Sequence, residues 1–167
     1  MDYLWTPWRY PYVSQPRDLR DQPESEQVCI FCEALERNQD ADTFILYRGQ
    51  RNFILLNRYP YTTGHAMIAP YEHGGELEKA DPETLAEMMV LCQRLQRAYA
   101  AEYKPDGYNI GMNLGRVAGA GVAGHLHLHV LPRWAGDTSF MTTVGETRIE
   151  PEELATTFAR LKRHFQS

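Results

Sequence analysis

The sequence predicts an α+β domain with an antiparallel sheet of about five strands, one long helix and a C-terminal helix. Three observations lead there. Strand-like runs at 43–47, 52–57 and 65–69 follow one another with only turns between them. A single 3.6-periodic segment runs from about Pro82 to Tyr103, and two further strand-like runs, 108–113 and 125–131, come after it. A last helix-compatible stretch follows Pro151, with Leu154, Phe158, Leu161 and Phe165 on one side.

Each element has its own local reason. Residues 1–28 are rich in Pro, Tyr, Trp, Asp and Gln without periodicity, so they read as an irregular arm whose aromatics (Trp5, Trp8, Tyr10, Tyr12) pack on the domain or on a partner subunit. Residues 29–167 read as one domain. Cys29–Asn38 is short and helix-compatible. Arg48-Gly49-Gln50-Arg51 is a hairpin turn between two apolar runs. Residues 58–64 form a loop with Pro60 and Gly64, and Pro70 ends the third strand. Asp81 is the N-cap candidate of the long helix and Pro82 suits its first position. Leu85, Met88, Met89, Cys92, Leu95 and Tyr99 make its apolar face, and Lys104-Pro105-Asp106-Gly107 stops it. Residues 115–124 hold four glycines and suit neither helix nor strand.

The bulk numbers narrow the function classes. A chain of 167 residues fits one domain with a true core. A formal net charge of -5 argues against a nucleic-acid coat, yet not against a small anion held by backbone N–H groups. No apolar run has the length of a membrane span, and the N-terminal residues lack a signal-peptide pattern, so the expectation is a cytoplasmic protein with no membrane partner. Three cysteines do not make a disulfide framework and point to thiol or metal chemistry.

The chemistry concentrates in His125-Leu126-His127-Leu128-His129-Val130-Leu131. Side chains on a strand alternate faces, so the three histidines share one face and Leu126, Leu128 and Val130 take the other. The leucine face belongs in the core, which leaves the imidazoles for a cleft, a metal or solvent. Each neutral ring needs both a donor and an acceptor, and three together are hard to satisfy as core residues. Imidazole titrates near neutrality and suits a nucleophile or proton carrier. The glycine-rich loop directly before this strand could cradle phosphate through its N–H groups. Separately, Cys29-Ile30-Phe31-Cys32 has the spacing of two zinc thiolates but supplies half a site, and two buried cysteines on a short helix explain it equally well. His73 is a possible third ligand. Cys92 reads as core and His164 as a solvated surface residue.

The motif His-apolar-His-apolar-His-apolar-apolar resembles the signature of the histidine-triad (HIT) superfamily of nucleotidyl hydrolases and transferases. Residues 52–60, then Thr63-Gly64-His65 and Pro70, are similar to the first half of that family, and 109–115 with Ala118-Gly119 to its second. Leu4–Arg9 and Pro132–Asp137 resemble a bacterial branch that includes diadenosine tetraphosphate phosphorylases. The resemblance implies a twofold homodimer with a sheet continuous across the interface, and a nucleotide or dinucleoside polyphosphate substrate. It implies His127 as the nucleophile on the α-phosphorus, His129 holding phosphate oxygens and assisting proton transfer, and His125 orienting the His127 ring through its carbonyl. It further implies Asn57 at the ribose, Asn113 near the phosphates with Gly119 and Gly121 in the phosphate loop, and His65 as a supporting histidine beside the triad. Relatives with the same cysteines bind a structural zinc, here through Cys29, Cys32, His73 and His125. One departure stands out. Many members carry Gln-Ser after Ala-Gly, whereas this loop reads Gly119-Ala120-Gly121 and is one residue longer. A side-chain contact to the leaving group is then missing, which could favour another acceptor such as inorganic phosphate.

Two other classes remain open on the residues alone. The three histidines could ligate a catalytic metal, or the chain could be a nucleotide-binding module without turnover.

Overall fold

Asp81 and Pro82 start the longest helix. The Asp81 carboxylate accepts the Thr84 N–H at 3.0 Å, and Pro82 occupies the first turn, where its missing N–H costs nothing. The computed structural model describes residues 28–137 and 152–166. Apart from Val28, the expected N-terminal arm with its four aromatics lies outside the described residues, as does Pro151. In chain order the elements are α1 (Ile30–Arg37), the single turn α2 (Asp40–Thr43), β1 (Ile45–Arg48), β2 (Asn52–Leu56), β3 (Ala66–Pro70), α3 (Pro82–Glu102), β4 (Gly107–Gly111), β5 (Leu128–Arg133) and α4 (Leu154–Lys162). Short 3₁₀ turns occupy Leu77–Lys79, Arg116–Ala118 and Arg163–Phe165.

The strands form one five-stranded sheet in the order β1-β2-β3-β5-β4, every pair antiparallel. That is the expected α+β architecture. Alternation along β2 and β3 divides the sheet's two faces. Ile54, Leu56, Ala66 and Ile68 pack with Met88, Leu91, Cys92, Leu95 and Tyr99 of α3. Phe53, Leu55, Met67 and Ala69 point the other way, onto Phe31 and Ala34 of α1. Burying each large apolar side chain is worth about 1.5–3 kcal/mol, so both faces contribute to holding the sheet.

Several boundaries differ from the sequence expectation, each for a local reason. Thr43 does not open β1, because its N–H and its hydroxyl both bond Gln39 O at 3.0 Å and close the α2 turn. Phe44 then takes a left-handed conformation (φ 58°) before the strand starts. Met89 is exposed, and Leu91 and Ala98 complete the buried side of α3. His164 stays partly exposed but has a partner, sitting 2.6 Å from Glu102, a carboxylate also met by Arg160 and Arg163. The most consequential difference is that β5 begins at Leu128 and not at His125. Its partner β3 ends in Pro70, which has no N–H to continue the ladder. The Pro70 carbonyl goes to the His125 ring, and the Leu126 N–H goes to Gly74 O at 2.7 Å.

Candidate active site

The lead-in to β5 still alternates. Leu126, Leu128 and Val130 belong to the core under α3. The three histidines face the α1 side of the sheet, where Phe31 lies 5.0 Å, centroid to centroid, from both His125 and His127. His129 pairs across the sheet with Met67 and Gly111. The lead-in is held by backbone packing as well. A Cβ on Gly75 would stand 2.1 Å from the Ala123 carbonyl oxygen, so only glycine lets the 74–75 segment run this close to the residues before His125.

Hydrogen-bond partners assign the protons of each ring. His125 Nε2 lies 2.9 Å from Pro70 O, an acceptor only, so Nε2 carries the proton and Nδ1 keeps its lone pair. His127 Nδ1 lies 2.8 Å from His125 O, so Nδ1 carries the proton and the lone pair is on Nε2. The Tyr61 N–H donates to His65 Nδ1 at 3.2 Å, with the Asn57 amide 3.4 Å from the same nitrogen. His65 therefore donates from Nε2 to His129 Nδ1 at 2.9 Å. His129 accepts there and keeps its own proton on Nε2. Neighbouring rings end in opposite states: His127 offers an electron pair and His129 an N–H. Their centroids are 4.9 Å apart and nearly perpendicular.

Electrostatics hold these rings neutral. Burial lowers the pKa of His125 and of His127. Burial, then the proximity of His127, pulls His129 down to about 4. A neutral His127 is available as a nucleophile without first losing a proton.

His65 gets its place from the core. Gly64, just before it, has φ 79°, and a Cβ there would crowd Pro132 and Tyr99. The Tyr99 hydroxyl donates to the Gly64 carbonyl from beneath. Asn57 stands beside this group, its side-chain oxygen accepting the Tyr59 N–H at 2.9 Å. Asn113 and Gly119 form a separate, more exposed pair, Asn113 Nδ2 donating to Gly119 O at 3.5 Å, and Gly119 has φ 92°. No hydrogen bond joins either to the triad among the described residues. Gly121 is exposed.

Cys29, Cys32, His73 and His125 come together, with one ligand atom from each within 4.8 Å of the others. The Cys29 thiol is 3.3 Å from His125 Nδ1, and the Cys32 thiol is 3.7 Å from it and 3.5 Å from His73 Nδ1. Tetrahedral zinc with bonds of about 2.3 Å to sulfur and 2.0–2.1 Å to nitrogen separates an S and an N ligand by about 3.5 Å. The nitrogen of His125 left unprotonated is the one aimed at the thiols, so the donor set fits. Burial, then the hydrogen bond and charge of Cys29, pushes the Cys32 thiol up to about 11. A divalent cation is the kind of charge that reverses such a shift.

Sequence reasoning did not single out Phe31, Gly75 or Tyr61, and gave Tyr99 only as part of the apolar face of the long helix. Phe31 carried a usable signal, since it is the one aromatic inside the cysteine pair. The Tyr61 contribution is a backbone N–H, which side-chain identity does not report.

Comparison with known proteins came to the same region. A match to the HIT domain family spans residues 38–136. The chain is 36% identical to an AP-4-A phosphorylase of Mycobacterium tuberculosis over 154 residues, covering 92% of this chain and 79% of that protein. Among solved structures it is similar to a Zn-bound histidine triad family protein from Mycobacterium smegmatis, with TM-score 0.67 and 30% identity over 85% of this chain and 94% of the other. It is also similar to a histidine triad nucleotide-binding protein from Sulfolobus tokodaii, with TM-score 0.66 and 28% identity over 81% and 91% of the two chains.

Proposed function

Because this chain belongs to the HIT domain family and is an enzyme of that family, we propose that it cleaves adenine dinucleoside polyphosphates of the diadenosine tetraphosphate type at the α-phosphorus. The observation that carries this reading is the His127 Nδ1–H bond to the His125 carbonyl, which leaves the Nε2 electron pair for phosphorus. His127 Nε2 forms the P–N bond as the bond from the α-phosphorus to the bridging oxygen breaks, and ATP leaves. His129, its Nε2–H fixed by the bond from His65, donates to phosphate oxygens as charge builds on them. The adenylyl group on His127 then passes to inorganic phosphate, giving ADP and the free imidazole. With water as acceptor the product is AMP. Similarity to an AP-4-A phosphorylase supports phosphate, and so does the absence of a polar side chain at Gly119-Ala120-Gly121. Asn57 is read as the ribose contact, and Asn113, Gly119 and Gly121 as phosphate contacts that close on substrate.

Cys29, Cys32, His73 and His125 are read as a structural zinc site. Bound there, the ion would tie α1 to the segment carrying the triad, and four protein ligands leave no open position. Against a catalytic metal on the three histidines stand His129, whose Nδ1 lone pair accepts from His65, and His125, whose unprotonated Nδ1 faces the thiols, which leaves only the His127 Nε2 pair for a metal there. A homodimer through β4 is also proposed. That strand is at the sheet edge and exposes Asn109, Ile110 and Gly111, so two copies could extend one sheet. Residues 29–167 are read as one domain, with the arm 1–28 packing on it or on the second copy.

The experiment is incubation with diadenosine tetraphosphate, with and without inorganic phosphate, and identification of products. ADP and ATP appearing only with phosphate support the reading, whereas AMP with or without phosphate reassigns the acceptor to water. Absence of any product removes the substrate class.

A further inference from the structure

We propose that Phe31 is a positioning residue for the His127 imidazole, holding the plane of the ring so that Nε2 stays aimed at phosphorus. The inference rests on His127 being the nucleophile. A histidine ring turns about its outer bond in a broad, roughly twofold profile. The bond from Nδ1 to the His125 carbonyl restrains that rotation but is a single contact. A half-turn would place carbon against the carbonyl and leave the electron pair pointing elsewhere. Phe31 supplies a second restraint. It is fully buried, and its ring lies 5.0 Å from His127 at 39° and 5.0 Å from His125 at 48°. Both distances lie within the range of attractive aromatic pairs.

Its own mounting is rigid. Phe31 lies in sequence between Cys29 and Cys32, whose thiols approach Nδ1 of the His125 ring. Behind it, Phe53 of β2 meets it edge-on at 6.5 Å. The aromatic wall therefore touches the nucleophile directly and the cysteine–histidine cluster through its neighbours. A residue that only filled space here would be replaceable by any apolar side chain of similar size. A flat wall would not be.

The test compares Phe31→Leu with Phe53→Leu. Both remove an aromatic ring from the same small core, but of the two only Phe31 meets the histidine rings, tilted against each. The first readout needs no substrate: exchange with solvent of the His127 Nδ1 proton, followed by NMR on the metal-loaded protein. Phe31→Leu should speed exchange by about tenfold or more at matched global stability, and Phe53→Leu should leave it within about twofold. The second readout is turnover of diadenosine tetraphosphate with phosphate. Phe31→Leu should lower kcat by about ten- to a hundredfold with KM within about threefold, the cost of a misplaced reacting group. Phe31→Tyr, which keeps the ring, should recover most of kcat. Equal proton exchange in the two leucine variants, or equal loss of kcat in both, overturns the proposal. If wild type shows no turnover, the reading of function fails, and the exchange comparison still decides the role of Phe31.

Discussion

The same strands build two unlike faces. Under α3 the sheet presents Ile54, Leu56, Ala66, Ile68, Leu128 and Val130, with no polar partner to place and no direction to keep. On the α1 side, one residue out of step, the lead-in to β5 and β5 itself present His125, His127 and His129, and each ring is held by a named partner on at least one nitrogen. The first face derives its stability from area, which tolerates shape-conserving change. The second derives its chemistry from direction, which does not. The two meet at Tyr99, whose ring is in the dry core and whose hydroxyl holds the Gly64 carbonyl next to His65.

Substitutions on the two faces should separate stability from turnover. The largest effect is expected from His127→Asn, which should lower kcat by about a thousandfold or more and abolish the covalent adduct while nucleotide binding persists. Equilibrium dialysis with nucleotide checks the binding half. On the other face, Leu95→Ala should cost about 2–5 kcal/mol in urea unfolding, with kcat unchanged below the transition. A large drop in kcat there would mean the faces are coupled more tightly than the contacts indicate. Between them, Tyr99→Phe should cost about 1 kcal/mol, since it deletes one buried hydrogen bond and strands the Gly64 carbonyl.

The last effect is one of pH. His129 is lowered in the fold to about 4 from an ordinary value near 6.5, so between those values the unfolded chain binds the extra proton and the folded one does not. Stability should be full above about pH 6.5 and decline as pH falls toward 4. Replacing His129 with Asn should lessen that decline, leaving the share that comes from His125 and His127. Glu102 acts in a lower window. Its carboxyl is held down at about 2, first by Arg163 and then by His164, and its contribution is lost only as pH falls below the usual carboxylate range. Urea midpoints at pH 7, 6 and 5 distinguish the two.

Much of this contrast is legible in the sequence because alternation and caps are local. His-Leu-His-Leu-His divides two faces by period alone, and Asp81-Pro82 marks a helix start whatever lies beyond it. The Cys29 and Cys32 spacing suggests a metal, and with His73 and His125 it becomes a fourfold cluster only once β3 and the β5 lead-in are side by side. What the sequence hides is set by partners far along the chain. β5 starts late because Pro70, 58 positions before Leu128 in the numbering, cannot donate to it. His164 reads as a surface residue because nothing near it in sequence announces Glu102. The proton on His65 is set by the Tyr61 backbone, which any residue but proline would supply.

In the proposed reaction His127 Nε2 becomes bonded to phosphorus. The direct measurement is to mix the protein with diadenosine tetraphosphate in the absence of phosphate, quench at alkaline pH where a phosphoramidate survives, and map the modified peptide by mass spectrometry. An adenylyl group is expected on His127, forming with release of ATP and disappearing as ADP when phosphate is added. Turnover with the label on another residue, or with no labelled residue at any time, would contradict it.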